Sequence, residues 1–582
     1  MSDSLISRIY SSFRGVDFRG EEINLVRSPN SLNIWKDYKE VESIRTRPEM
    51  ELLSSFTDTI YGIFFYRVGD TEMMIVHGGT KLYKVVNGTK TVLYEGVNSA
   101  RSDAFIYNNL WYFKDGANYL QFDGTTVRDV SDVAHIPTTS IGRKPSGGGT
   151  IHEDVNLLSP YRINTFVGDG TSTKFYVDVP SYDAPSFDNG IPDAIQQAKK
   201  MYEVTINDVV VYPKTSETGY EVSFGQDEGR FTITPAPPKP LTDGQDNVKI
   251  KFKKSIDKSK IYNCTLLQVF DNRVFFSGNK DYPNMIWHCA LNDPTYCSDL
   301  DYYNEGLDTA EVKGMVAGNN VLWVFKEPSQ ANTTVFYHTP TIDAEYGKIY
   351  PNTHSSIATG CVGKAINFND DIIFFSDRGM EGISGDITTE QVIAHRSSLV
   401  DRKLTAESNY KDMILEEWEG YLLAFIDNKV YLADSRAIFT NENHYEYEWF
   451  YWQFAKKITC AKVNKGILYL GTNDGVYTLT DTTSNVESYW VTPKDKFKYP
   501  QYLKTTNKRG CVIESTGDVS VYAKTEKTDF ELIGEYKNIT DAFICRIKRK
   551  KWKDIQLKFY SKTRFSLETA TLEAFVGGYI KR

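Results

Sequence analysis

At 582 residues the chain is too long for one compact core and predicts about two to four domains. Hydrophobic (41%) and charged (25%) shares are those of a folded, soluble protein, while an aromatic share of 14% favours pleated, half-buried sheet. A net charge of −9 excludes a generally basic nucleic-acid binder, though not a weakly acidic wall past which DNA slides.

The opening MSDSLISRIYSSFRG has no basic segment followed by an apolar core, so no secretory signal is expected. No apolar run reaches bilayer length, and synthesis in the cytoplasm with no membrane segment is expected. Residues 1–50 read as an amino-terminal arm and first propeller strand. Within the arm, Arg27-Ser28-Pro29-Asn30 forms a turn nucleus, because Pro presets its own backbone and Asn caps the residues after it. Leu32, Ile34 and Trp35 then bury an apolar edge, in a strand that either closes the propeller or reaches a neighbouring subunit.

Residues 51–164 and 256–489 repeat one phrase without repeating its letters: apolar run, tight polar turn, apolar run. Expected turn centres are Gly78-Gly79, Asn108-Asn109, Asp271-Asn272, Asn319-Asn320, Asp370-Asp371, Asp427-Asn428 and Lys465-Gly466. Asn, Asp and Gly tolerate the left-handed backbone of two-residue hairpins. Flanking runs such as Val321-Leu322-Trp323-Val324-Phe325 supply the strands. Spacing of about 30 to 57 residues suits one four-stranded blade per turn, and so a β-propeller of about six or seven blades. A β-solenoid would need a shorter period, and WD40 and kelch signatures are absent.

One large gap interrupts the period. It opens with the loop-like IGRKPSGGGT (Ile141 to Thr150) and continues through short alternating strands, among them YEVTINDVVVYP and VKIKFKK. Residues 165–255 therefore read as an inserted β-sandwich, in which IPDAIQQAKKMY (Ile191 to Tyr202) is a helical candidate. The repeat stops near Ser484, and 490–582 predicts a C-terminal β domain, again sandwich-like. The fold class expected is all-β: a β-propeller with an inserted β-sandwich and a C-terminal β-sandwich-like domain.

Chemistry is sparse. Seven scattered cysteines without a C-x-x-C pair read as buried, reduced thiols. The eight histidines form no ligand-spaced pair, and His288 beside Cys289 reads as packing. TGCVGKA (Thr359 to Ala365) lacks P-loop spacing, and GISGD is not a nucleophile elbow. SDRGMEG (Ser376 to Gly382) is faintly like a sialidase Asp-box but out of register, and a turn explains it better. No catalytic residue, metal or cofactor is expected. The one basic run, Arg546 to Asp554, offers Arg546, Lys548, Arg549, Lys550, Lys551 and Lys553 as nucleic-acid or partner contacts. Lysine protection of a strand edge is the favoured alternative, with docking to an acidic subunit a third.

The arm carries a resemblance. Asp17, Phe18, Arg27, Ser28, Pro29, Asn30, Ser31, Leu32, Asn33, Trp35, Asp37, Tyr38, Arg47 and Pro48 stand in an order that resembles the opening of packaged-DNA stabilisation proteins, also called tail nozzle proteins, of short-tailed phages. FSGNKDYPNMIWHCALNDPTYC (Phe276 to Cys297), NNVLWVFKEPSQ (Asn319 to Gln330) and IQLKFYSKTRFSLETATLEAF (Ile555 to Phe575) resemble further stretches of that family. Where the family closes its motif with R-P-G, this chain has RPEM. The resemblance implies a structural virion protein of the tail, a ring of about six copies below the portal and adaptor. Such a ring would bind itself and other tail proteins, retain packaged phage DNA without sequence specificity, and line its exit channel. The alternative is a carbohydrate-binding or carbohydrate-cleaving propeller acting as a receptor-binding tail protein.

Overall fold

Seven two-residue hairpins set the architecture. They lie at Gly69-Asp70, Asn108-Asn109, Asp271-Asn272, Asn319-Asn320, Asn369-Asp370, Glu419-Gly420 and Lys465-Gly466, and each joins the first two strands of a four-stranded antiparallel sheet. Both turn residues have positive φ at six of them, and Gly69 alone at the first. Asn, Asp and Gly reach that backbone cheaply, so many letter pairs serve one turn.

The structure, a computed structural model, describes residues 4–20, 24–38, 43–178, 202–213, 218–225, 229–254, 256–330, 333–344, 347–355, 357–384, 392–441, 444–481 and 485–579. Among these the chain is nearly all strand, and the fold is a β-propeller with an inserted β-sandwich and a C-terminal β-sandwich-like domain. Blades 1 to 7 occupy 60–95, 103–129, 266–304, 312–354, 365–395, 414–453 and 460–480, the last completed by Glu49–Ser55. Two compact units share them: 1–101 with 312–582 holds blades 1 and 4 to 7, and 102–311 holds blades 2 and 3 and the insert.

Three expected turn centres move. Gly78-Gly79 and Asp427-Asn428 mark the second hairpins of blades 1 and 6, not the first. The blade 5 turn sits one residue earlier than Asp370-Asp371, because Asp371 starts the next strand and its carboxylate is buried against Arg396, Tyr445 and Tyr447.

In the first unit, the first strands of blades 4 and 5, of 6 and 7, and of 7 and 1 lie side by side. Gly471 on the second strand of blade 7 faces Ile60 and Cys460 so closely that a Cβ there would overlap them. Blade 7 is finished from the far end of the chain, Glu49–Ser55 pairing with Gly475–Thr480. The arm strand at Leu32, Ile34 and Trp35, expected either to close the propeller or to reach a neighbouring subunit, does not close the propeller. Ile34–Lys36 pairs with Ile44–Thr46, and through Ile44 and Arg45 both join the C-terminal sheet. That sheet has ten strands, and Ser4–Tyr10 also belongs to it. Its long strand Tyr502–Thr525 changes partners along its length, pairing first with Phe565–Tyr579 and Ala542–Cys545, then with Thr528–Ile539 and Ile555–Ser561. One core runs from Trp418, Phe450 and Trp452 of blade 6 to Val521, Phe559 and Leu572 of this sheet.

In the second unit, blades 2 and 3 share a core of Tyr119, Val274, Phe276 and Trp287. The insert is a six-stranded sheet facing a three-stranded one (Lys174–Tyr176, Glu221–Gly225, Arg230–Thr234), with Phe166, Phe175, Phe231, Ile250 and Phe252 between them. Its large sheet begins at Thr138–Arg143, upstream of residue 165, because that strand pairs with Tyr161–Phe166. The helical candidate falls on 191–202; 191–201 lie outside the described residues, and Tyr202 opens a strand.

Candidate functional site

The arm residues singled out from the sequence meet in one joint of the first unit. Arg27 makes a two-pronged bond to Glu448 of blade 6, at 2.8 and 2.7 Å, with its guanidinium 4.4 Å from the Phe439 ring centre. Ser28 donates to the Val491 carbonyl at 2.7 Å and caps the Asn30 amide, while Pro29 carries the turn and Asn30 accepts from Tyr489. Asn33 has positive φ, which Asn tolerates, and its amide side chain does triple duty: Nδ2 donates to Glu487 O, and Oδ1 accepts from Arg47 and Gln453. Arg47 also donates to the carbonyls of Pro48 and Gln453 and lies over Phe454; burial lowers its pKa to about 9. Trp35 stacks on Trp418 at 5.2 Å and meets Trp452 edge-on. All eight of these residues bond or pack where blade 6 meets the C-terminal sheet.

The basic run lies along one side of that sheet, between Ala542–Cys545 and Lys550–Trp552, which both pair with the long strand. Arg546 and Lys548 point outward, Ile547 between them is buried, and Arg549 bonds Glu531. Lys550 opens the short strand Lys550–Trp552 opposite Thr505. Lys551 is exposed with positive φ, its carbonyl accepting from Lys527, and Trp552 is buried. The Lys553 amide donates to Glu526. Beneath the edge, buried Lys504 donates to the Lys553 carbonyl at 2.7 Å beside the Trp552 ring, and burial lowers its pKa to about 8. Arg546, Lys548 and Lys551 are thus exposed along this stretch, while Arg549 is tied to Glu531 and the neighbouring Lys504 is committed internally.

Two cations of the same edge escaped the sequence reading. The long strand bulges between Thr506 and Cys511, and Gly510, at φ +84, turns against Arg546 so tightly that a Cβ would overlap the Cys545 carbonyl. That bulge sets exposed Lys508 and Arg509 opposite exposed Arg546 and Lys548. The only sequence signal was the short pair Lys508-Arg509, too brief to stand out alone.

A second cluster left no sequence signal. His395 in blade 5 lies between Glu381, its cross-strand partner, at 3.1 Å and Asp401 at 2.6 Å. Burial would lower the imidazole pKa, but the hydrogen bonds and charges of Asp401 and Glu381 outweigh it and raise the pKa to about 10. Such a histidine stays an imidazolium at neutral pH and ties two carboxylates together. The SDRGMEG stretch around Glu381 is a two-residue hairpin, Ser376 pairing with Gly379.

All seven cysteines are free and buried. Burial pushes the thiols of Cys264, Cys289, Cys361 and Cys460 up to about 12. Among the described residues no group of three or more His, Cys, Asp or Glu is placed to hold a metal. No helix there is long and apolar enough to cross a membrane.

Comparison with protein-family models and with curated proteins returned no match. Among solved structures, the chain is similar to BamB from Moraxella catarrhalis (10% identity, 74% of this chain and 97% of that one, TM-score 0.31). It is also similar to the computationally designed protein Ika8 (9%, 75% and 100%, 0.30) and to Kluyveromyces lactis Hsv2 (9%, 75% and 94%, 0.29). Likenesses this remote carry no argument about what the chain binds or does.

Proposed function

We propose that the chain is a structural component of a tailed-phage virion, of the packaged-DNA stabilisation or tail nozzle kind. It would assemble as a ring of about six copies below the portal and adaptor. There it retains packaged DNA and later lines the path by which the genome leaves. The observation that carries this reading is the arm joint. Residues that resemble the family's opening, from Arg27 to Pro48, are spent on bonding blade 6 to the C-terminal sheet.

On this reading the function is mechanical. Sheets supply rigid walls, the basic edge at Lys508, Arg509, Arg546 and Lys548 meets acidic neighbours or passing DNA, and the net charge of −9 disfavours indiscriminate adhesion of DNA. Immunogold labelling of intact virions with antibody to this protein tests it. Label on the tail axis is expected. Label on peripheral fibres would favour a receptor-binding, carbohydrate-directed role, and absence from virions opened to expose internal epitopes would sink the structural reading.

A further inference from the structure

The strand Val248–Lys253 lies in the middle of the insert's six-stranded sheet, between Tyr161–Phe166 and Tyr202–Ile206. Val248, Ile250 and Phe252 point into the sandwich core, so Lys249, Lys251 and Lys253 share the opposite face. Lysines on an outer strand are commonly explained as protection against edge pairing, but this strand is paired on both sides and has no edge to protect.

Three like charges in one line repel each other, and among the described residues no carboxylate forms an ion pair with any of them. Glu203 stands opposite Lys251 in register, yet the ammonium leans to the other side and lies 5.0 Å from the Tyr161 ring centre. Two residues of strand advance about 6.6 Å, so the three lysines leave the strand at even steps along a line. The line runs into a cleft of about 550 Å³ bounded by Lys251, Lys253, Lys258, Tyr161, Ser131 and Ser159, with Asp132 the one carboxylate among its described lining residues.

We infer that this face of the insert binds the phosphodiester backbone of a nucleic acid, with Lys249, Lys251 and Lys253 as phosphate contacts. Evenly spaced cations on a rigid strand complement a polymer with one negative charge per repeat unit. They read no sequence, because phosphate contacts position a chain without distinguishing bases. The site is separate from the basic edge of the C-terminal sheet and does not depend on the protein being a tail component.

The test is fluorescence anisotropy of a labelled DNA duplex against the full chain over a salt series. Each lost phosphate contact removes about 0.9 from the slope of log affinity against log salt. The triple variant K249Q/K251Q/K253Q is expected to lower that slope by about 2 to 3 and to weaken binding at low salt at least tenfold. K249R/K251R/K253R should retain both, and thermal unfolding of the two variants, whose changes are all on an outward face, should match wild type. An unchanged slope in the glutamine variant overturns the proposal, as does a wild-type chain that binds no duplex in low salt. Preference for poly(glycerol phosphate) or an acidic polypeptide over DNA overturns it too.

Discussion

Arg27 and Glu448 are both buried, and their bond holds only while both are present. Removing the arginine leaves a carboxylate out of water with exposed Arg14, 3.7 Å away, as its remaining cation. Arg27→Ala is therefore expected to cost about 3–5 kcal/mol in chemical denaturation, and Arg27→Met with Glu448→Leu to recover most of it. His395 makes a pH-dependent contribution. Its pKa is raised in the folded chain, so the stabilisation is complete below about pH 6.5, declines above that, and is gone once pH passes about 10. Comparing wild type with His395→Gln, the gap in unfolding free energy should be on the order of 2 kcal/mol at pH 6 and close to zero at pH 10.5. A gap that widens with pH would show that the imidazole is not held charged by its two carboxylates.

At the scale of single elements, turns were the most legible feature, because a two-residue hairpin with positive φ restricts its letters strongly. Asn108-Asn109, Asp271-Asn272 and Asn319-Asn320 stand where the sequence puts them. Glu419-Gly420 was missed because glutamate gives no turn signal and the stronger Asp427-Asn428 lies just beyond it. The bulge at Gly510 was illegible for a different reason: it exists only where two strands distant in sequence are paired out of step. Gly510→Ala should cost about 2–4 kcal/mol, since both its positive φ and the Cys545 carbonyl oppose a side chain. Gly466→Ala, at φ +79 but facing open space, should cost about 1–2 kcal/mol. Equal effects in a denaturation series would argue against the close approach at the bulge. His395, Glu381 and Asp401 belong with the illegible set, since cross-strand register and the short helix after blade 5 bring them together.

For the whole molecule, the propeller, the insert and the C-terminal β domain were readable from period and its interruption. Their seams were not. Residues 1–50 were read as an arm with the first propeller strand, whereas Ser4–Tyr10, Ile34–Lys36 and Ile44–Thr46 enter the C-terminal sheet and Glu49–Ser55 completes blade 7. Alternation of apolar and polar residues reports that a strand has a buried face, and says nothing about which sheet supplies it. The reduced, buried state of the cysteines gives a molecule-wide check. With all seven thiols enclosed and burial opposing ionisation, a mild disulfide reagent at pH 8 should label less than about one equivalent in the native chain and all seven after unfolding. Rapid labelling of several thiols in the native chain would contradict the packing.

Blade 7 has a consequence for how the chain comes off the ribosome. Glu49–Ser55 is synthesised early, but its partner Gly475–Thr480 emerges only when most of the polypeptide has already been made. Throughout that interval Glu49–Ser55 lacks the blade 7 strand it pairs with. A nascent chain held in this state presents an unpaired strand to whatever it meets, including the Gly475–Thr480 segment of another copy. Crowded synthesis or concentrated refolding would then let two chains exchange these segments, each finishing the other's last blade through the same backbone bonds that finish its own.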